Sequence, residues 1–305
     1  MSERRITCPG QGPLARRLDF PRIIPACDVE LPTHGGRIAE HRIFRGHCDS
    51  HSLEQILLPG IHHPLAAQDD NPYRLFRAVP RGHAPAEGWP IIYMLDGNAA
   101  FDFLTRDMLA QVPGLVVVGI GYDSAGQFDR HSRTRDLTFP ADDPDAAARP
   151  TGGAAQFISL LTGALRDAAE QGLTINAVRR TLWGHSLGGL FALQMMRLAP
   201  GSFARYAAIS PSLWRSEEQA DALMQDSRAA PDALYLGSGN REKRSFSAGP
   251  PPTDAPESFY DLVEAFSVRR DLDLCWQIYD GAVHIASLPT SLEPSLIFAA
   301  TESPS

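Results

Sequence analysis

Residues 181–189, Thr-Leu-Trp-Gly-His-Ser-Leu-Gly-Gly, form the stretch of sequence that decides the fold. Ser186 lies at the centre of a G-x-S-x-G pattern, between an apolar run typical of a strand and another typical of a helix. Such a serine sits on a sharp turn, and we expect Gly184 and Gly188 to remove side chains that would collide with the adjoining strand and helix. The turn places the hydroxyl at a helix N-terminus, where the helix dipole favours negative charge. The sequence therefore predicts that Ser186 is a nucleophile.

Strand-like and helix-like segments alternate on both sides of this motif. The predicted strands cover residues 73–79, 89–95, 115–122, 180–183, 206–210, 234–237 and 272–279. The predicted helices cover residues 99–109 and 187–198 and two apolar-periodic segments around 157–168 and 259–266. The strand at 115–122 is apolar throughout, as expected for a strand covered on both faces. This pattern predicts an α/β fold with a mostly parallel central sheet and helices on both of its faces.

Length and composition limit the classes of protein that fit. The 305 residues are compatible with one domain, 1–305, in which an irregular N-terminal arm (1–68) precedes a catalytic core at about 70–300. A net charge of −8 argues against nucleic acid or an anionic membrane as partner. No run approaches the roughly 20 apolar residues of a membrane span. Residues 1–20 contain no apolar segment typical of a secretory signal, so a cytoplasmic location is expected. The oligomeric state is left open.

Neither a cofactor nor a metal is indicated. Gly119 and Gly121 begin a possible dinucleotide loop, but its sixth position is Ser124 and no helix pattern follows. The four cysteines lack C-x-x-C spacing, which favours free thiols in a reducing compartment. Six of the ten histidines lie in the N-terminal segment, yet their spacing fits no standard ligand pattern and favours a polar arm; they are His34, His41, His47, His51, His62 and His63.

A serine hydroxyl needs a base within hydrogen-bond reach. His284 is the only histidine after the motif, and it follows the last predicted strand, where a hydrolase with this serine motif carries its base. The acid of such a triad belongs in the turn after residues 234–237, where Glu242 is the only carboxylate. A solvated glutamate paired with a neighbouring cation is the alternative reading of Glu242. Asp280 and a Ser–His pair without an acid also remain open.

The oxyanion formed during acyl transfer needs two N–H donors near the serine. One is predicted to be the backbone N–H of Leu187, the residue after the nucleophile. The other is predicted to be the backbone N–H of Asn98, in the Asp96-Gly97-Asn98 loop after the strand at 89–95. An ordinary turn is the alternative reading of that loop, because Gly and Asn favour turns.

Five ordered motifs carry a family resemblance. They are MLDGNAAFD (94–102), GYD followed by FDRHSRTRDLTFPA (121–141), LWGHSLGGLFAL (182–193), SPSLW (210–214) and GSGNRE (237–242). Over about residues 70–290 the chain resembles the siderophore esterases, the enterobactin- and salmochelin-type trilactone hydrolases in the esterase-D-like group of α/β-hydrolases. The resemblance implies hydrolysis of the backbone esters of a catecholate siderophore, ferric or apo. It assigns the nucleophile to Ser186, the base to His284 and the oxyanion donors to Asn98 and Leu187. Some relatives lack the acid, which keeps Glu242 open.

The resemblance also suggests a role for residues 123–153, a long polar segment with no predicted element of its own. A ferric triscatecholate is anionic, and guanidinium groups offer both charge and planar stacking. We therefore expect Arg133, Arg130 and Phe128 to bind substrate. The alternative is that Arg133 or Arg135 forms a structural ion pair with Asp129 or Asp136. Two other functions remain, a general short-chain carboxylesterase or thioesterase and a non-catalytic binding protein with a hydrolase-like fold.

Overall fold

The computed structural model describes residues 42–68, 70–140, 150–215, 217–224, 231–243 and 252–301. The strands in these ranges are β1 Arg42–His47, β2 His51–Leu58, β3 Tyr73–Pro80, β4 Trp89–Leu95, β5 Val116–Tyr122, β6 Ile175–His185, β7 Arg205–Ile209, β8 Ala233–Gly239 and β9 Asp273–Tyr279. The helices are α1 Gly97–Phe103, α2 Arg106–Gln111, α3 Arg130–Leu137, α4 Ala154–Thr162, α5 Ala164–Glu170, α6 Leu187–Leu198, α7 Glu217–Met224, α8 Glu257–Ser267 and α9 Ser287–Ala300. A short 3-10 helix covers Leu213–Arg215.

The described strands form one nine-stranded sheet in the order β1-β2-β3-β5-β4-β6-β7-β8-β9. The first three strands pair antiparallel, and β3 is also antiparallel to β5. From β5 to β9 every neighbouring pair is parallel. The prediction of an α/β fold with a mostly parallel sheet is confirmed.

Alternate residues of the central strands enter two separate apolar cores. On β4, Ile91, Tyr93 and Leu95 lie in one core together with α4, α6 and α8, whereas Ile92 and Met94 lie in the other with α1, α2 and α9. Both faces of the sheet are therefore covered by helices. This explains why the strand at 115–122 is apolar throughout instead of alternating with polar residues.

The prediction that residues 1–68 form an irregular arm is wrong for its described part, because β1 and β2 add two strands to the sheet edge. Buried polar side chains concealed the strand pattern. His51 and Gln55 point inward on β2 beside Leu53, and the His51 imidazole lies 2.9 Å from the carbonyl oxygen of Leu115. Polar residues in inward positions remove the alternation of apolar and polar residues from which a strand is predicted.

Residues 123–153 also contain an element that the sequence did not predict, the helix α3. Its buried residues are almost all polar, with Leu137 as the apolar exception, so no apolar helical period is present. Asp136 is buried and accepts hydrogen bonds from the hydroxyls of Tyr73 (2.6 Å) and Tyr122 (3.0 Å). This polar cluster anchors α3 in place of apolar packing.

Two predicted helices are each divided in the structure. Residues 99–109 form parts of α1 and α2, and the Thr105 hydroxyl caps the second helix by accepting from the Met108 N–H at 3.1 Å. The segment around 157–168 is divided into α4 and α5 at Gly163, whose backbone leaves the helical region. None of the helices in the described ranges is long and apolar enough to cross a membrane.

Candidate active site

Ser186 lies on the turn that joins β6 to α6, with backbone angles of φ 60° and ψ −115°. A non-glycine residue in this conformation is strained, and such strain is typical of functional sites. The turn is held by two backbone hydrogen bonds. The Ser186 N–H donates to the carbonyl oxygen of Ile209 at 2.9 Å, and the Ser212 N–H donates to that of Ser186 at 3.2 Å. The predicted strand–turn–helix setting of the serine is therefore present.

Glycines make the tight turn possible, although one differs from the expectation. A Cβ on Gly184 would lie 2.1 Å from the carbonyl oxygen of Gly188, and one on Gly189 would lie 2.7 Å from that of Ile209. A Cβ on Gly188 would meet nothing closer than the Leu95 Cβ, at 3.5 Å. The close approaches are therefore at Gly184 and Gly189, and the expectation that Gly188 prevents a collision is wrong.

Three side chains from distant parts of the sequence form a continuous relay. His284 Nε2 lies 2.9 Å from Ser186 Oγ, and His284 Nδ1 lies 2.8 Å from Glu242 Oε2. Glu242 follows β8 and His284 follows β9, so both come from the same edge of the parallel sheet as the serine turn. This arrangement can transfer a proton from the hydroxyl to an imidazole whose positive charge the carboxylate stabilises.

The Glu242 carboxylate is mostly buried, and its other oxygen is also bonded. Oε1 accepts from the backbone N–H of Gly239 at 2.7 Å and from the hydroxyl of Ser210. Burial alone would raise the pKa of Glu242, but the hydrogen bonds from His284 and Ser210 outweigh it and hold this pKa below its ordinary value. The structure therefore favours an ionised carboxylate beside the imidazole.

Of the two candidate acids, the structure brings Glu242 next to His284. Asp280 is exposed, and its Oδ1 accepts a hydrogen bond from the Asn240 side chain at 2.8 Å. Asp280 is thus engaged on the surface of the turn. The Glu242 side chain is mostly buried, which does not match the alternative reading of a solvated residue.

The two predicted oxyanion donors lie at the N-termini of helices that follow two neighbouring strands. Leu187 and Asn98 are in the first turns of α6 and α1, where backbone N–H groups have no partner within the helix. β4 and β6 are paired in parallel at Met94 and Trp183, which brings the following turns side by side. The Asn98 side chain is occupied elsewhere, because it bonds the backbone N–H (2.9 Å) and carbonyl (3.1 Å) of Tyr122. Only the backbone of Asn98 is therefore suited to the predicted role.

The ion-pair partner of Arg133 is neither of the two carboxylates close to it in sequence. Its guanidinium makes a bidentate pair with Asp96, with Nε–Oδ1 at 2.7 Å and Nη2–Oδ2 at 2.8 Å, instead of binding Asp129 or Asp136. The Phe128 ring lies 5.3 Å from its Cζ, a cation–π distance. Asp96 has the left-handed backbone angle φ 52° and immediately precedes α1. Arg133 therefore holds the loop that carries Asn98.

The other residues of that segment divide into an exposed group and a buried group. Arg130 is exposed in the first turn of α3, and Phe128 is half-buried. Arg135 is buried and pairs with Asp136 and Asp70, so the structural reading applies to it. Asp129 caps α3 by accepting from the backbone N–H groups of His131 and Ser132.

Four residues near the relay were not singled out from the sequence. Ser212 Oγ lies 3.1 Å from Ser186 Oγ, and Ser210, Ser287 and His185 surround the far side of Glu242 and His284. Ser210 and Ser212 belong to the SPSLW motif, which was the available signal. Both serines lie between the nucleophile and the acid in the sequence, so polar residues of that interval are the signal that indicates them.

The His-rich N-terminal segment is only partly described, and His34 and His41 lie outside the described residues. His51 and His63 are buried, and each bonds a backbone carbonyl, of Leu115 and Gly153 respectively, at 2.9 Å. Within the described ranges, no three His, Cys, Asp or Glu residues lie where they could hold a metal ion.

Comparison with known proteins gives a consistent set of relatives. A family model described as a putative esterase matches residues 70–251. The apo-salmochelin esterase of Escherichia coli (strain CFT073) is 42% identical over 152 residues, which are 47% of this chain and 48% of that protein. The match thus spans about half the length of that relative. The ferri-bacillibactin esterase of Bacillus subtilis is 29% identical over 257 residues, 77% of this chain and 87% of that protein.

A solved structure titled as the enterobactin and salmochelin hydrolase IroE is also similar. It superposes with a TM-score of 0.67 at 26% identity and covers 84% of this chain and 98% of its own. This likeness confirms the α/β-hydrolase fold that the sequence predicted.

Proposed function

The chain belongs to the esterase family described above, and from that premise we propose that it is a serine esterase that cleaves the backbone esters of a catecholate siderophore. The relay from Ser186 through His284 to Glu242, at 2.9 and 2.8 Å, is the observation that carries the proposal. A binding protein would have no need of a nucleophile, base and acid in this order. The substrate class is taken from the relatives, which are named as esterases of salmochelin and bacillibactin and as a hydrolase of enterobactin and salmochelin.

The geometry supports a two-step reaction. The Ser186 hydroxyl attacks the ester carbonyl while His284 Nε2 takes its proton, and the oxyanion is bound by the N–H groups of Leu187 and Asn98. The imidazolium then gives that proton to the departing alkoxide, which leaves an acyl group on Ser186. Water then attacks the acyl carbonyl while His284 takes its proton, the bond to Ser186 Oγ breaks, the imidazolium returns the proton to Oγ, and the carboxylic acid product leaves. Glu242 stabilises the positive charge of the imidazolium in both steps.

The surroundings of the relay are suited to an aromatic, anionic ester. Three large apolar side chains near the reacting groups remain exposed: Trp214 (55%), which follows Ser212 by two residues, and Val283 (45%) and Ile285 (58%), which flank His284. Such side chains can contact catechol rings.

For the charged part of the substrate we propose Arg130 and Phe128. We also propose that the substrate contacts the part of the Arg133 guanidinium that does not bond Asp96. The exposure of Arg130 and the stacking of Phe128 on Arg133 support these assignments.

We further propose that the protein acts in the cytoplasm on siderophore taken up as the ferric complex or in the apo form. Cys48 and Cys275, the two cysteines in the described part of the chain, are not joined in a disulfide, as is usual in proteins of reducing compartments. Separation of periplasmic and cytoplasmic fractions followed by antibody detection tests this. Recovery in the periplasmic fraction would refute it.

The substrate proposal is tested by comparing kcat/KM for an enterobactin-type trilactone, with and without Fe(III), with kcat/KM for a short p-nitrophenyl ester. We expect the trilactone to be preferred by at least about a hundredfold, the scale at which a dedicated binding site discriminates. A protein that ignores trilactones and cleaves the short ester rapidly would instead be a general carboxylesterase.

A further inference from the structure

Behind the relay, on the side away from the nucleophile, lies a second set of hydrogen bonds that the reaction as described does not use. Ser210 Oγ bonds Glu242 Oε1, and Ser287 Oγ lies 2.7 Å from Ser210 Oγ. Ser287 Oγ also lies 2.6 Å from the carbonyl oxygen of His284 and 3.1 Å from His185 Nε2. Ser210, Ser287 and His185 are all buried, and they belong to different parts of the fold. Ser210 follows β7, Ser287 begins α9 and His185 ends β6.

The direction of these hydrogen bonds follows from the donors and acceptors. An ionised Glu242 only accepts, so the Ser210 hydroxyl must donate to it. Ser287 donates its one hydroxyl proton to the carbonyl oxygen of His284, which can only accept, so the contact between the two serine oxygens shares a proton that one of these two bonds already uses. The carbonyl of His284 accepts from His185 Nε2, 2.8 Å away, so His185 carries its proton on that nitrogen.

His185 is suited to remain neutral in this position. Burial lowers its pKa to about 3, with the charge of His284 acting in the same direction. The charged or titratable groups that act on it are His284, Glu242 and Arg133. A neutral Nε2–H imidazole is a fixed donor at any pH at which the relay works.

We propose that Ser210, Ser287 and His185 are positioning residues that fix Glu242 and the backbone of His284 in the orientation that the relay requires. Ser210 acts on the carboxylate, and His185 and Ser287 act on the main chain of the base. The inference rests on the proposed function, because it assigns these residues to the same reaction.

Ser210 gives the sharpest test, because its backbone is also strained, with φ 45°. Glycine at this position relieves the strain and removes the hydroxyl, whereas alanine keeps the strain and removes the hydroxyl. We expect Ser210→Ala and Ser210→Gly to lower kcat by about 10- to 100-fold with KM nearly unchanged, the effect of losing a hydrogen bond to a charged group. Wild-type activity in Ser210→Gly would show that only the backbone matters and would overturn the proposal.

A double-mutant cycle separates positioning through Glu242 from a general structural effect. In a Glu242→Ala background, we expect Ser210→Ala to lower kcat by less than about twofold further. If kcat of the double variant falls by the full product of the two single-variant factors, the proposal is overturned, because Ser210 would then act independently of the carboxylate. Ser287→Ala in the otherwise wild-type chain, for which we expect a fall in kcat with KM nearly unchanged, covers the case in which Ser210 variants do not fold, as judged by circular dichroism.

Ser291→Ala is the matched control. Ser291 is buried on the same helix, one turn after Ser287, and its hydroxyl bonds only the Leu288 carbonyl in the contacts described, at 2.8 Å. We expect wild-type kcat from this variant. If Ser186→Ala is inactive while the Ser210 and Ser287 variants keep full activity, the positioning inference fails and the esterase proposal stands. If Ser186→Ala is active, the esterase mechanism itself fails.

Discussion

Each residue of the relay is held through the main chain as well as through its side chain. Gly239 N–H bonds the Glu242 carboxylate, and the turn that contains Glu242 is tied to the loop before His284 by the hydrogen bond from Arg241 N–H to the Ala282 carbonyl, 3.0 Å. Catalytic groups must be held close to their working geometry before the substrate arrives, because reorganisation during the reaction would raise the barrier. At the scale of residues, the site is therefore preorganised by backbone contacts between neighbouring loops.

The G-x-S-x-G motif predicted Ser186, and chain order after it predicted His284 and favoured Glu242, because each follows a strand that ends at the same sheet edge. Their catalytic roles remain predictions that the geometry supports. The partner of Arg133 was not predictable in this way. Asp96 is distant in sequence and lies on a separate loop, whereas Asp129 and Asp136 are close to Arg133 along the chain.

Substitution of Arg133 tests its bond to Asp96. Arg133→Lys keeps the positive charge but cannot make the bidentate pair, because an ammonium group lacks the planar fork of a guanidinium. We expect kcat to fall by about tenfold or more on both a trilactone and a short neutral ester, since the oxyanion loop serves both substrates. Steady-state kinetics on the two esters measures this.

A different kinetic result would contradict this positioning role of Arg133. A higher KM for the trilactone together with unchanged hydrolysis of the neutral ester would show that Arg133 contacts substrate and does not position the loop. Arg130→Lys is a matched comparison, because Arg130 is exposed on the same helix and serves only as a proposed charge for substrate.

At the scale of elements, the serine turn between β6 and α6 depends on main-chain atoms that pack closely against its glycines. Gly184 and Gly188 occupy equivalent places in the motif, yet only Gly184 faces a backbone atom at short distance. The motif predicted the turn correctly because its chemistry is local. It could not show which glycine is under steric constraint, because that depends on how β6, β7 and α6 pack together.

These two glycines give a paired stability test. We expect Gly184→Ala to lower the free energy of unfolding by about 3 kcal/mol or more, because the new Cβ meets a carbonyl oxygen that cannot move without breaking the turn. Gly188→Ala should cost less than about 1 kcal/mol, because its Cβ has room and alanine favours a helix. Urea denaturation of both variants measures the difference. Equal losses would contradict the packing described for this turn.

Elements with apolar periodicity were predicted close to their observed bounds, as β4 and α6 show. Of the elements that were not predicted, β2 and α3 carry buried polar groups, and the helix α9 is interrupted by Pro294. The strand β1 and the helix α7 were not predicted either. His51 and Asp136 are stabilised by hydrogen bonds to residues far away in sequence. A local pattern cannot reveal such partners, because the stabilising contact forms only in the folded sheet.

At the scale of the whole molecule, one continuous sheet carries every group of the relay. We propose that the chain is a single α/β-hydrolase domain in which the β1–β2 hairpin extends the sheet. Trp89, Trp183 and Trp276 lie on β4, β6 and β9, so tryptophan fluorescence reports on the centre and the far edge of the sheet. We expect fluorescence and far-ultraviolet circular dichroism to lose native signal at the same denaturant concentration. A separate early loss of circular dichroism would show that the hairpin unfolds independently.

The most direct test of the account is the hydrolysis of an enterobactin-type trilactone by wild-type protein and by Ser186→Ala, with the linear products quantified by mass spectrometry. If Ser186 is the nucleophile, as we propose, loss of its hydroxyl removes the acyl-enzyme route altogether. We predict that the variant keeps its native circular dichroism spectrum and that its kcat falls by roughly 10⁵- to 10⁶-fold. A folded Ser186→Ala variant that retains more than about a tenth of the wild-type rate would contradict the account, because hydrolysis would then proceed without Ser186.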